Sequence, residues 1–124
     1  MKVSKIAKKG FSLVEMLVVI AIIGVMAAIA VPQISNFTDA ANKGKAQRNA
    51  QNLSSVCSAA QAAGLDFVST DLVTTVNAVV LGSTVTGGAF DGEYFGVPNM
   101  NVDERTAAAQ YLDINSGILS YKPD

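Results

Sequence analysis

The sequence predicts an α+β chain. A long N-terminal helix, half membrane span and half amphipathic, carries a small C-terminal head of short helices and a two- to three-stranded antiparallel sheet. Three observations predict it. An apolar run near the N-terminus is long enough to cross a bilayer. A stripe of apolar and small residues at spacings of three and four follows it. Beyond residue 64, short helical and alternating segments are punctuated by Gly, Pro, Asn and Ser. The organisation expected is a basic leader at 1–10, a spanning helix at 11–32, its amphipathic continuation at 33–64 and the α+β head at 65–124.

Half of the 124 residues are hydrophobic and only 15% are charged, which is apolar for so small a chain. The excess is concentrated. Met16 to Val31 contains no charged or polar side chain, and from Phe11 to Val31 the one charge is Glu15. At about 1.5 Å per residue this run covers roughly 30 Å, the thickness of a bilayer's hydrocarbon core. Past Pro32 the sequence turns polar, yet Ile34, Phe37, Ala41, Ala46, Ala50, Leu53, Val56, Cys57, Ala60 and Ala63 keep one helical face apolar. Gly64 is the expected C-cap, so one helix is predicted from about Ser12 to Ala63. Gly44 interrupts it at about 1 kcal/mol relative to Ala.

In the head, Ser69-Thr70-Asp71 offers an N-cap. Leu72, Val73, Val76, Val79 and Val80 then form a short helix ending at Gly82, although their β-branching also allows a strand. Gly82 to Gly92 reads as loop. Glu93 to Val97 alternates as a strand stopped by Pro98. Asp103 is the expected cap of a helix running through Ala107, Ala108, Ala109 and Leu112. Asn115-Ser116-Gly117 turns the chain into a last strand, Ile118 to Tyr121.

Charge is split. Residues 1–10 hold Lys2, Lys5, Lys8 and Lys9 and no acid, whereas the rest holds five basic groups and ten acids. The positive-inside rule therefore puts the lysine-rich end in the cytoplasm and the acidic head outside. Lys43, Lys45 and Arg48 are a short run read as a solvated helix face, so no nucleic-acid partner is inferred. The chain has no histidine and one cysteine, Cys57. An intrachain disulfide is excluded, as are histidine-based acid–base catalysis and Ser-His or Cys-His nucleophiles.

The N-terminus reads as a processing signal of one of two kinds. As an ordinary secretory signal it would be cut after Ala28-Ile29-Ala30, releasing a small exported binding domain, or would be retained as a permanent anchor. Three features weigh against this: the apolar stretch is longer than a usual h-region, it carries Glu15, and the helical pattern continues past Ala30.

The other kind is carried by Lys8-Lys9-Gly10-Phe11-Ser12-Leu13-Val14-Glu15-Met16-Leu17-Val18-Val19-Ile20. This segment resembles the N-terminus of type IV prepilins and type II secretion pseudopilins. The resemblance covers residues 8–32 closely and the rest only in general layout. It implies a pilin-like fold, cleavage between Gly10 and Phe11 by a membrane aspartic prepilin peptidase on the cytoplasmic side, and N-methylation of Phe11. It also implies a role in assembly for Glu15, and a weak, extendable stretch of helix at Gly24 and Pro32. The implied function is that of a structural filament subunit, not an enzyme. It would wait in the bacterial inner membrane and then enter a periplasmic or cell-surface filament, a type II secretion pseudopilus or a type IV pilus. The implied partners are other copies or other pilins, the peptidase, an assembly ATPase and a platform protein.

Elementary physics agrees at two of these positions. A carboxylate within an apolar span costs about 2–3 kcal/mol on insertion scales unless paired. The amine freed at Phe11, in the same chain or a neighbouring subunit, would pair with Glu15 and set register between greasy helices. Pro32 lacks an N–H and crowds the carbonyl of Ala28, so the turn there must weaken. Other chemistry is weaker. Asp91 with Glu93 and Asp103 with Glu104 lack a recognisable calcium-ligand spacing and read as solvated acids, so no metal or cofactor is expected. Cys57 lies on the apolar stripe and reads as a buried thiol. Tyr94, Phe95 and Tyr121 read as packing. The missing disulfide, frequent in pilin heads, tilts the reading toward a pseudopilin or a minimal pilin.

Overall fold

A computed structural model describes residues 9–123; the leader lysines Lys2, Lys5 and Lys8 lie outside the described residues. Helix α1 spans Leu13–Ala62 and includes Pro32. The rest of the chain comprises α2 (Leu72–Leu81), β1 (Ser83–Thr84), β2 (Tyr94–Phe95), α3 (Val102–Ala109), β3 (Leu112–Asn115) and β4 (Ile118–Tyr121). The chain forms two compact units, Met1–Asp39 and Ala40–Asp124.

In the first unit every described residue is exposed. Phe11 and Phe37 are 82% and 77% exposed. The helix is continuous through Gly24, where an added side chain would meet no neighbour. The apolar stripe also stays uncovered at Ile34, Phe37 and Ala41, although its spacing predicted a buried face.

The second unit has a core. The stripe becomes buried at Ala46, Ala50, Leu53, Cys57 and Ala60, a spacing of four, three, four and three. Ala46, Ala50, Leu53 and Cys57 pack with Val76, Val79 and Val80 of α2, and with Met100, Ala108, Tyr111, Leu112 and Leu119. Small residues on α1 let the other elements approach its backbone, and Leu53 fills the centre.

The end of α1 follows from Gly64, whose φ is +97°. The Leu65 amide donates to the Ala60 carbonyl at 2.8 Å and the Gly64 amide to the Gln61 carbonyl at 3.0 Å, the two bonds of a Schellman motif. Asp71 caps α2 as predicted, accepting from the Thr74 amide at 2.8 Å. The helical alternative for residues 72–81 wins because its valines reach the core at Val76, Val79 and Val80.

Elsewhere the head corrects the expectation. The stretch from Gly82 to Gly92 is not all loop, because Ser83–Thr84 pairs antiparallel with Tyr94–Phe95. The cap of α3 is Asn101, not Asp103. The Asn101 side chain accepts from the Glu104 amide and the Glu104 carboxylate accepts from the Asn101 amide. Leu112 does not end that helix but opens β3, which pairs with β4 from Leu112↔Tyr121 to Asn115↔Ile118. The strands thus form two separate two-stranded sheets rather than one. Ser116 and Gly117, both at positive φ, make the tight turn of the second hairpin.

Side chains tie the hairpin and α3 to α1. Ser54 Oγ donates to the Leu119 carbonyl at 2.8 Å, Gln61 Nε2 donates to the Gly117 carbonyl at 2.8 Å, and Lys45 Nζ pairs with Glu104.

Candidate functional site

The residues singled out by sequence gather at the start of α1. Lys9 to Ser12 are outside the helix and exposed. An added Cβ at Gly10 would meet nothing within 4 Å. Ser12 stands at the N-cap. Its hydroxyl accepts from the Val14 amide at 3.3 Å, and its carbonyl accepts from the Met16 amide at 3.2 Å. Glu15, at the third helical position, reaches back with Oε2 to accept from the Ser12 amide at 2.6 Å. The glutamate returning to the cap amide is one half of a capping box, while the serine hydroxyl takes the Val14 amide, one residue short of the Glu15 amide that a full box would use. The carboxylate also lies in the first turn, where the helix dipole favours negative charge.

This cap was legible in the Ser12-Leu13-Val14-Glu15 spacing ahead of an apolar run, a signal the sequence reading left unused. In the uncut chain the nitrogen of Phe11 is an uncharged amide, so the carboxylate takes the nearby N–H of Ser12. Pairing with an ammonium at Phe11 belongs to a cut chain.

Beyond this start, the helix offers lipid or another helix an unbroken apolar surface. Leu17, Val18, Ala21, Ile22, Val25 and Met26 line a shallow groove along it. Gly24 and Pro32 lie within the span of α1 and bring no other group to the site. The Ala28 carbonyl cannot receive a bond from Pro32, which has no N–H.

The remaining candidates are occupied structurally. Asp91 Oδ1 accepts from the Gly87 amide at 2.7 Å, holding a loop. The Glu104 carboxyl is held below its ordinary range chiefly by the Lys45 ammonium and then by the Asn101 amide. Among the described residues there is no group of three or more His, Cys, Asp or Glu able to hold a metal ion. Cys57 is fully buried; burial and the charge of Asp66 push its thiol up, against a backbone hydrogen bond with Leu119. Tyr94 is half exposed rather than core, and its hydroxyl donates to the Leu81 carbonyl at the end of α2. Gly82 and Gly96 make room for this ring, since a Cβ on either would run into the Tyr94 hydroxyl.

Behind the exposed, glycine-containing start at Lys9–Ser12 stands a helix long and apolar enough to cross a membrane. Comparison with known proteins shows what this N-terminal segment resembles. Residues 6–31 match the family described as the prokaryotic N-terminal methylation motif. The chain is 38% identical to a fimbrial protein of Pseudomonas aeruginosa over 63 residues, 51% of this chain and 41% of that protein. It is 54% identical to the type IV major fimbrial protein FimA of Dichelobacter nodosus over 33 residues, 27% of this chain and 21% of that one. The matches thus span about two fifths or less of the length of these curated relatives. No solved structure matches the chain. The N-terminal segment is thus similar to that of type IV fimbrial proteins, and a long N-terminal helix followed by a small α+β head is compatible with that class.

Proposed function

We propose that the chain is a structural subunit of a type IV pilus-like filament. The reading rests on one coincidence: most of the methylation-motif match at residues 6–31 falls on the part of α1 that is exposed among the described residues. An apolar helix of this length in water would be costly at about 25 cal/mol per Å². Lipid before assembly and sister helices after it supply the missing cover. The names of the relatives favour a pilus over a secretion pseudopilus.

In the proposed sequence the chain inserts with its lysine-rich end in the cytoplasm and its head outside. A prepilin peptidase cuts between Gly10 and Phe11, and Phe11 is N-methylated. An assembly ATPase and platform protein then draw the helix from the inner membrane into a filament. The new cation at Phe11 of one subunit meets Glu15 of another and fixes axial register. The turns between Gly24 and Pro32 supply extensibility. The leader 1–10, the helix segments 11–32 and 33–64, and the head 65–124 are the functional divisions of this scheme.

The test is intact and N-terminal mass spectrometry of the protein from its native host. A chain starting at Phe11 with one added methyl is expected. A start at Val31, or an uncut chain, would overturn the scheme in favour of an exported or anchored domain.

A further inference from the structure

We infer that Ser12 is a positioning residue for the proteolytic step: its N-cap stops α1 short of the scissile bond and so keeps Lys9–Phe11 as unwound, exposed chain. This deepens the proposed processing at Gly10–Phe11 and rests on it. A peptidase binds its substrate as an extended strand and cannot reach a peptide bond inside a helix. In this chain the bond lies two residues ahead of the first helical residue, Leu13. Ser12 does the capping with both halves of the residue: the hydroxyl accepts from Val14 and the amide donates to Glu15. An N-cap residue has non-helical backbone while its carbonyl already accepts the first helical bond, and here that bond comes from Met16.

The leader immediately upstream would not by itself hold the helix back. Ala7, Lys8 and Lys9 are good helix formers, and Gly10 is a weak stop. With Ala in place of Ser12, the continuous helix through Phe11 competes with the capped one. Cleavage then draws on the fraction of chains that remain unwound, and the apparent specificity constant falls in proportion. The roughly 1 kcal/mol lost with an N-cap corresponds to a fall in kcat/KM of at most about five-fold. Ser12→Thr keeps a hydroxyl cap and should cleave at close to the rate of the unsubstituted chain.

The experiment uses the full chain in liposomes with a purified prepilin peptidase, following the product that begins at Phe11. Hydrogen exchange at the Phe11 and Ser12 amides is measured on the same samples. The expected result is slower cleavage and slower exchange at Phe11 for Ser12→Ala, both restored by Ser12→Thr, with the thermal melt of the head unchanged. Equal rates for Ser12→Ala and the unsubstituted chain would overturn the inference. So would a slowing shared by Ser12→Thr, or slowing with no added protection at Phe11. If the unsubstituted chain itself is not cut between Gly10 and Phe11, the processing reading falls, and this inference with it.

Discussion

The two halves of α1 both carry apolar side chains but meet opposite fates. In the first unit, residues as large as Ile20, Ile23 and Phe37 remain exposed. In the second, residues as small as Ala46, Ala50 and Ala60 are sealed from solvent. Bulk on the surface and small side chains in the core reverse the usual order of burial. The reversal teaches that α1 serves two solvents. Its second half is an internal wall, where small residues admit a close-packed head. Its first half is apolar all round and is exposed among the described residues, so a cover for it has to come from outside them.

The sharpest break of this comparison lies at the boundary of the exposed half. Gly10→Leu meets no steric obstacle in the chain, because nothing lies within 4 Å of an added Cβ. The variant should fold its head normally yet give no product starting at Phe11, as read on an immunoblot of membranes. A mature-sized product would show that the cut lies elsewhere.

A finer division concerns Glu15, which is both a cap and a charge. Glu15→Gln keeps an acceptor for the Ser12 amide, since glutamine also serves in a capping box. It removes the charge that would pair with a cut N-terminus. Cleavage should persist while sheared filament yield falls about tenfold or more, the consequence of losing roughly 1.4 kcal/mol or more per subunit contact. Normal yield would assign Glu15 to capping alone. Leu53→Ala attacks the other half of the comparison. Leu53 is fully buried at the centre of the head's core, so truncation should cost about 2–5 kcal/mol. In detergent, the near-UV signal of the tyrosines should melt earlier while the helical signal of the span persists. Simultaneous loss of both would mean that the two halves unfold as one.

The smallest expected effect is acid sensitivity confined to the head. The Asp71 carboxyl is held low by the amide and then the hydroxyl of Thr74, and that of Glu104 by Lys45 and then Asn101. A depressed folded pKa contributes stability above the ordinary carboxylate range near about 4, and that contribution is lost as pH falls through the folded value. The melting temperature of the head should therefore decline below about pH 5. Glu104→Gln should flatten the decline, and both effects should be small because the groups are exposed. A pH-independent melt would remove these carboxyls from the account of stability.

Much of the chain was readable where a local rule decides. The apolar run, the Gly64 and Asp71 caps, the end of α2 at Gly82 and the turn at Ser116–Gly117 each follow from a few neighbouring residues. Ser12–Glu15 and Asn101–Glu104 were just as local, and were missed because the apolar run and Asp103 drew the reading instead. Strand β1 was not readable at all. Ser83 and Thr84 have no alternating pattern to announce them, and they are a strand because Tyr94–Phe95 lies across from them. Leu112 likewise continues a helical spacing, but Tyr121 pairs with it as a strand.

The sequence by itself determined that α1 exists, how long it is, where it stops and which segment nothing soluble could cover, because these follow from hydrophobic period, caps and charge along one stretch of chain. Only the tertiary structure decided where the stripe on α1 begins to be buried, at Ala46 rather than Ile34, and how the head's strands divide into two hairpins. Burial and strand pairing are relations between residues far apart in sequence. They are settled by which surfaces meet, and Ile34 and Phe37 stay exposed.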